Sequence, residues 1–146
     1  MGNNIKIRKQ KKLDAKANST EASRAVLRMA RVSAQKARLV ADMIRGNSVD
    51  DALVKLKYTR KKSARMFEKL LSSALANASQ KPAFNQVDIG DLAGQLQVKT
   101  VFVDQGPSLR RIRPRARGMA YRIHKKTSHL TIILEQVDTE TIEKGS

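Results

Sequence analysis

Hydrophobic and polar residues alternate in three stretches of the chain, and this period-two pattern predicts three β-strands. The first covers residues 22–33, although a helix would also accept its Ala and Leu content. The second covers residues 95–104 and the third residues 129–137. The residues expected to share one side of the last two strands are Leu96, Val98, Thr100, Phe102, Leu130, Ile132 and Leu134. Phe102, like the other two phenylalanines of the chain, is expected in the core.

Between the first two strands, apolar residues recur every three or four positions, which predicts helices. Ser33 is a candidate N-cap for a first helix over residues 34–45, and Gly46 is a candidate stop. Ser48 begins a pattern typical of a capping box, which predicts a short second helix that ends near Tyr58.

A third and longer helix is predicted over residues 60–81, with Thr59 as its cap and Pro82 at its end. Its apolar stripe consists of Ala64, Phe67, Leu71, Ala74, Leu75 and Ala78. The basic residues beside this stripe are Lys61, Lys62, Arg65 and Lys69. Such a face can be solvated, contact RNA or rest on an anionic membrane, and the shortage of bulky aromatics argues against the membrane. Residues 83–94, which are rich in Asp and Gly, are interpreted as a connection.

The second and third strands are joined by a connection that is long for a compact domain, unless it is functional or disordered. Gly106 and Pro107 mark the point where the chain leaves the sheet. Pro114 and Gly118 suit a reversal near the middle of the segment. We therefore predict that both strands continue outward as a two-stranded antiparallel ribbon, termed the arm, over residues 103–128.

Charge changes the interpretation of this arm. The chain has 30 Lys and Arg against 13 Asp and Glu, a formal net charge of +17, which favours a polyanionic partner, nucleic acid before membrane. Residues 110–126 carry eight cations, six of them Arg, and no acid. Arginine binds phosphate oxygens bidentately and stacks on bases, so a shaped nucleic-acid contact is favoured over the plain alternative, a flexible basic loop. The apolar residues interleaved with these cations are Leu109, Ile112, Met119, Tyr121 and Ile123.

Other features exclude several classes of protein. The chain has no Cys, which excludes disulfides and thiolate metal sites. It has no apolar run of about 18 residues and no secretory signal, so a cytoplasmic location is expected. Residues 1–20 are predicted to be a disordered basic extension and residues 138–146 an acidic flexible tail, on either side of one domain over residues 21–137.

No catalytic site, metal site or cofactor is predicted. Ser33 and Lys36 fit the S-x-x-K motif, but its companion motifs are absent and the match is interpreted as chance. His124 and His129 have no nearby carboxylate before Glu135, so they are expected to contact RNA or to be structural. Because the acids are scattered, hydrolase or nuclease activity is disfavoured.

Three segments resemble the ribosomal protein L22 family of the large ribosomal subunit: "ARVSAQKARLVADMIRG" (30–46), "KKSARMFEKLLSSALANA" (61–78) and "VFVDQGPSLRRIRPRARGMAYRIHKKTSHLTIILEQ" (101–136). The resemblance implies an α+β domain with three helices on a small antiparallel sheet and a long protruding β-hairpin. It also implies binding to large-subunit rRNA, support of assembly, and a hairpin tip that lines the polypeptide exit tunnel. The partners it implies are rRNA, neighbouring large-subunit proteins and the nascent polypeptide, without a membrane or self-association.

Carried over from the resemblance, the tunnel-lining tip consists of Leu109, Arg110, Arg111, Ile112, Arg113, Pro114, Arg115, Ala116 and Arg117. The candidate rRNA contacts are Lys36, Arg38, Arg45, Lys61, Lys62, Arg65, Arg110, Arg111, Arg113, Arg115, Arg117, Tyr121, Arg122, Lys125, Lys126 and His129. Tyr121 is compatible with stacking on a base and with packing within the ribbon. The alternative function is a DNA-binding architectural protein whose basic β-arm enters a groove. Preference for structured rRNA over duplex DNA distinguishes the two.

Overall fold

Helices and antiparallel strands make up the computed structural model, which describes residues 21–81, 84 and 87–136. In chain order the elements are β1 (Glu21–Ala30), α1 (Ala34–Ile44), α2 (Val49–Tyr58), α3 (Lys62–Ser79), α4 (Ile89–Gln95), β2 (Leu96–Gln105), β3 (Leu109–Pro114), a 3₁₀ turn (Ala116–Gly118), β4 (Ala120–Lys125) and β5 (Ser128–Gln136). The predicted α+β class is confirmed, with four α-helices in the described residues where the sequence predicted three. The predicted terminal extensions, 1–20 and 138–146, lie outside the described residues.

The central sheet has three antiparallel strands in the order β1–β5–β2, so the last strand along the chain lies in the middle. Helices cover one face of this sheet, where the register aligns Ala25, Ile132 and Val101 across the three strands. All three side chains are buried. The other predicted core residues of β5, Leu130 and Leu134, are buried as well. The alternation in β5 therefore identified the core face correctly.

Strand β2 has a register shift against β5 between Val98 and Thr100. Val98 faces the core before the shift, and beyond it Val101 and Val103 are buried while Thr100 is only half-buried. The prediction that Phe102 lies in the core is therefore wrong, since its side chain is 37% exposed on the face opposite the helices. The other two phenylalanines are buried as predicted.

The ends of the helices follow local hydrogen bonds, which correct two of the predicted caps. Ser48 caps α2 as predicted, its hydroxyl accepting a hydrogen bond from the Asp51 amide at 3.2 Å. Ser33 stands at the N-cap position of α1, but its side chain makes no capping bond. Thr59 ends α2 and does not begin α3, because its hydroxyl donates to the Lys55 carbonyl at 2.7 Å. Helix α3 begins three residues further on.

Gly46 ends α1 as predicted. Its φ of +77° is a conformation that favours glycine, and its amide donates to the Val98 carbonyl at 2.9 Å. Helix α4 lies largely in the segment 83–94, so the interpretation of that segment as a connection is wrong for most of the helix. Its Leu92 and Ala93 are buried, but Asp and Gly residues interrupt the apolar pattern that would have revealed it. The predicted stop at Pro82 lies outside the described residues.

The predicted arm is present as a ribbon of β3 and β4 that makes no extensive contact with the helices or the central sheet. At its root, the Gly106 amide donates to the Thr127 carbonyl at 2.9 Å. The Thr127 hydroxyl donates to the Pro107 carbonyl at 2.6 Å, and the Ser128 hydroxyl donates to the Val32 carbonyl at 3.1 Å. A Cβ on Gly106 would lie 2.6 Å from the Thr127 hydroxyl oxygen, so the root packs closely only around glycine.

We expect Gly106→Ala to lower the free energy of unfolding by about 1–3 kcal/mol, because the added methyl displaces the buried Thr127 hydroxyl from its bond to Pro107. Urea unfolding followed by circular dichroism measures the change. Gly90→Ala is the matched control, since no atom lies within 4 Å of a Cβ there and alanine favours helices. Equal stability of the two variants would contradict the close packing of the root.

Candidate nucleic-acid interface

Every side chain from Arg110 to Ala120 is exposed, including those of apolar residues. Ile112 is 72% exposed, Met119 57% and Tyr121, further along β4, 58%. The arm therefore has no core of its own, and an isolated two-stranded ribbon is marginal in water. It presents apolar and cationic groups together to whatever lies beside it.

The register of the ribbon separates its cations. The cross-strand pairs are Leu109 with Lys125, Arg110 with His124, Arg111 with Ile123, Ile112 with Arg122, Arg113 with Tyr121 and Pro114 with Ala120. Like charges directly opposite each other destabilise a sheet, and here no Arg or Lys faces another. Successive residues point to opposite faces, so both faces of the ribbon carry cations beside apolar or aromatic neighbours.

A tight turn reverses the chain between β3 and β4. The Arg115 amide donates to the Met119 carbonyl at 2.8 Å, and Arg117 and Gly118 have φ values of +58° and +69°. The predicted reversal near Gly118 is confirmed. The end of the arm is this turn, whereas the predicted tip, residues 109–117, includes all of β3 and only part of the turn.

Two arginines among the candidate rRNA contacts donate hydrogen bonds to carbonyls of the central sheet. The Arg38 guanidinium donates through Nε and Nη2 to the Val103 carbonyl, at 3.3 and 3.1 Å. Arg45 donates through Nη2 to the Val101 carbonyl at 3.0 Å, and its Nη1 lies 2.9 Å from the Asp42 carboxylate. Both carbonyls belong to β2, an edge strand with unpaired backbone groups. These arginines therefore cover an edge of the sheet, a role that the sequence pattern did not reveal.

The histidines also separate in the structure. His129 is half-buried, and its Nδ1 accepts a hydrogen bond from the Met29 amide at 3.1 Å. This bond supports a structural role for His129. It requires the tautomer with the proton on Nε2. His124 is exposed on β4. The candidate contacts of the helices, Lys36, Lys61, Lys62 and Arg65, are exposed too.

The arm and the domain meet in a cleft of about 500 Å³, termed the root cleft, which gathers cations from separate segments of the chain. Lys62 comes from α3, Arg111 from β3, and Lys125 and Lys126 from the end of β4 and beyond. Arg31, between β1 and α1, also lines the cleft and was not among the predicted site residues. Only tertiary packing brings these residues together, so no local sequence signal could have found the cluster.

The described residues include no group of three or more His, Asp or Glu side chains that could hold a metal ion. No helix in this part of the chain is long and apolar enough to cross a membrane. What the interface offers is cationic charge and exposed apolar surface.

Comparison with known proteins agrees with this description. The model of the family "Ribosomal protein L22p/L17e" matches residues 25–135. A protein of Bdellovibrio bacteriovorus named large ribosomal subunit protein uL22 is 50% identical over 113 residues, 77% of this chain and 96% of its own length. A protein of the same name from Desulfotalea psychrophila is 48% identical over 114 residues, 78% of this chain and 97% of its own length.

The fold, the basic arm and these similarities define a structural protein of a ribonucleoprotein particle, not an enzyme. The chain belongs to the ribosomal protein L22p/L17e family, and with it to the large subunit of the ribosome in the cytoplasm. The resemblance noted in the three sequence segments is thereby confirmed.

We expect Arg38→Gln to destabilise the free protein by about 0.5–1.5 kcal/mol, because the Val103 carbonyl loses both of its guanidinium donors. Thermal unfolding without RNA measures the loss. Lys36→Gln, on the same helix and exposed, is the control and should stay within about 0.5 kcal/mol of the original protein. If Arg38→Gln and Lys36→Gln unfold at the same temperature, Arg38 does not stabilise the edge of the sheet.

Proposed function

We propose that this chain binds large-subunit rRNA through its arm and the basic surfaces of its domain, supports assembly of the subunit, and lines the polypeptide exit tunnel with its arm. The observation that carries the proposal is an arm whose apolar side chains and arginines are exposed together. Such a surface is costly to leave in water, and the arm makes no extensive contact with the other described elements that would cover it.

RNA can bind both the arginines and the apolar side chains of the arm. Its phosphates bind guanidinium groups bidentately, and its unpaired bases and riboses offer flat faces for apolar and aromatic side chains. Each face of the arm carries both kinds of residue, so each face can meet backbone and base. A solvated basic loop would gain nothing from exposed Ile112 and Tyr121.

The length of the arm supports its place in the tunnel wall. At roughly 3.3 Å per residue, the six residues of β3 carry the turn about 20 Å from the root. The arm thus crosses a distance comparable to the width of an RNA double helix. In this proposal residues 109–117 line the tunnel and meet the nascent polypeptide, while the domain contacts rRNA and neighbouring proteins nearer the subunit surface.

Support of assembly follows from the same geometry. The domain and the arm bind RNA at two places separated by the length of the arm, and linked contacts raise the effective concentration of the second partner after the first has bound. The protein therefore holds separate rRNA segments together.

The proposal predicts that the protein co-sediments with large subunits in a sucrose gradient and resists a high-salt wash. Neutralising the end of the arm, with Arg113→Gln, Arg115→Gln and Arg117→Gln together, should make the protein elute at lower salt. Each lost phosphate contact reduces the slope of log affinity against log salt by roughly 0.7–0.9.

The matched control removes the same charge from the domain outside the candidate contacts, with Lys55→Gln, Lys57→Gln and Arg60→Gln together, and should retain the wash resistance. Recovery of the unmodified protein at the top of the gradient, or with chromosomal DNA, would overturn the ribosomal proposal in favour of a DNA-binding protein.

Deletion of residues 109–111 tests the tunnel assignment. We expect the protein still to enter large subunits, because much of its basic surface remains, and the tunnel to change in width where the shortened arm no longer reaches. Cryo-electron microscopy of purified subunits measures that width. A deletion of three residues also reverses the faces of the strand if pairing restarts at the root, since the side-chain period is two.

A length-preserving control, Leu109→Ala, Arg110→Ala and Arg111→Ala together, separates the reach of the arm from its charge and should leave the turn in place. If the deletion variant is absent from subunits while this control enters them, the length of the arm is needed for assembly. If the deletion leaves the tunnel unchanged, the tunnel-lining role is wrong.

A further inference from the structure

The root cleft joins two parts of the protein that otherwise touch little. Arg31 and Lys62 belong to the domain outside the arm, whereas Arg111, His124, Lys125 and Lys126 belong to the arm. Its volume of about 500 Å³ accommodates a phosphate with an adjoining ribose. The cleft is partly open to solvent, so a nucleotide chain can reach it from outside.

No acidic residue lines this cleft. The ion pairs seen in the described residues, Arg45–Asp42 and Lys99–Glu135, lie elsewhere. Five permanent cations therefore share one cavity without a counter-charge from the protein. They repel one another across it. An anion bound between them would attract the cations of the domain and those of the arm, and would so hold the two parts together.

Two helix starts add to the positive potential. Ser33 and Lys62, at the starts of α1 and α3, both line the cleft. Neither helix has a side-chain cap or an acidic residue in its first turn, whereas α2 has its Ser48 cap and two aspartates there. The cations define the site, and the helix dipoles deepen its potential.

A bound anion would restrain the direction of the arm, because the arm is attached to the domain only at its root. There, the hydrogen bonds of Gly106, Thr127 and Ser128 fix where the arm starts. The strands beyond have no extensive packing on the domain that would fix its direction. A group bound by Lys62 on one side and by Lys126 on the other would supply that restraint.

We propose that the root cleft binds one phosphodiester of the rRNA backbone and that this phosphate clamps the arm in a single direction relative to the domain. The inference rests on the proposed rRNA binding and adds a defined site and a role to it. The walls favour a phosphodiester over an acidic peptide, because Val32 is the one apolar residue of the lining and a peptide would find little to pack against.

Spin labels can measure the clamp directly, since the chain has no cysteine. Met119→Cys labels the turn of the arm and Ile89→Cys the start of α4, both at exposed positions. Double electron–electron resonance then gives the distance distribution between the labels in the full chain, alone and with a saturating transcript of large-subunit rRNA. RNA is expected to narrow a broad distribution to a single distance.

The test variant combines Lys62→Gln with Lys126→Gln, and its distribution should stay broad with rRNA bound. Its slope of log affinity against log salt should fall by roughly 0.7–0.9, the amount for one phosphate. Loss of a cation at the start of α3 favours the helix, so the fold is expected to persist and circular dichroism checks it. The control combines Lys69→Gln, on α3 outside the cleft, with Lys55→Gln. Its distance distribution should narrow with rRNA as that of the unmodified protein does.

If rRNA narrows the distance distribution of the test variant as much as that of the control, the clamp is wrong. A narrow distribution without RNA would also overturn it. If inorganic phosphate alone narrows the distribution, the cleft is a site for free phosphate, and if polyglutamate narrows it but rRNA does not, the cleft is a site for an acidic peptide. Failure of the unmodified protein to bind rRNA would overturn the proposed function itself. That result differs from intact binding without narrowing, which overturns the clamp alone.

Discussion

Mutual repulsion among the cations of the arm is the constraint on which the rest of the molecule depends. No acid occurs between Asp104 and Glu135, and eight Lys and Arg lie in that interval. Compensation has to come from geometry or from another molecule. The register keeps Arg and Lys apart across the ribbon, which reduces the cost without removing it.

The domain provides the hydrophobic core that the arm lacks. Its central strand β5 follows the arm directly and is paired on both sides, so the C-terminal end of the arm is anchored in the middle of the sheet. Gly106, which follows the edge strand β2, allows close packing at the root, because its missing Cβ leaves room for the Thr127 hydroxyl. The basic side chains have different roles. Arg38 and Arg45 donate to carbonyls at the edge of the central sheet, whereas Arg111 of the arm donates only to the adjacent Arg110 carbonyl.

The sequence predicts those parts of the fold that depend on local periodicity. The alternation in β5, the cap at Ser48 and the reversal near Gly118 follow from residue type and spacing, and the structure has all three. Phe102 was misplaced because one irregularity in β2 exchanges the faces of every later residue, and periodicity alone does not locate such a shift. Helix α4 escaped notice because seven residues show too little of a helical period.

The candidate interface was predictable in composition but not in arrangement. The arm stands out in the sequence as a long acid-free run rich in arginine, and it lies in one of the three segments that carry the resemblance to the family. The root cleft does not stand out, because Arg31, Lys62 and Lys126 are far apart along the chain and meet only through packing. The same packing gives Arg38 its internal partner.

Hydrogen exchange of the arm, measured by mass spectrometry on the full chain with and without large-subunit rRNA, shows whether the arm depends on an anionic partner. We expect fast exchange in residues 109–125 of the free protein and strong protection in β5, because the ribbon has no core and its cations repel. Binding of rRNA should protect the arm. Protection of the free arm equal to that of β5 would contradict this dependence, since the arm would then be stable without an anionic partner.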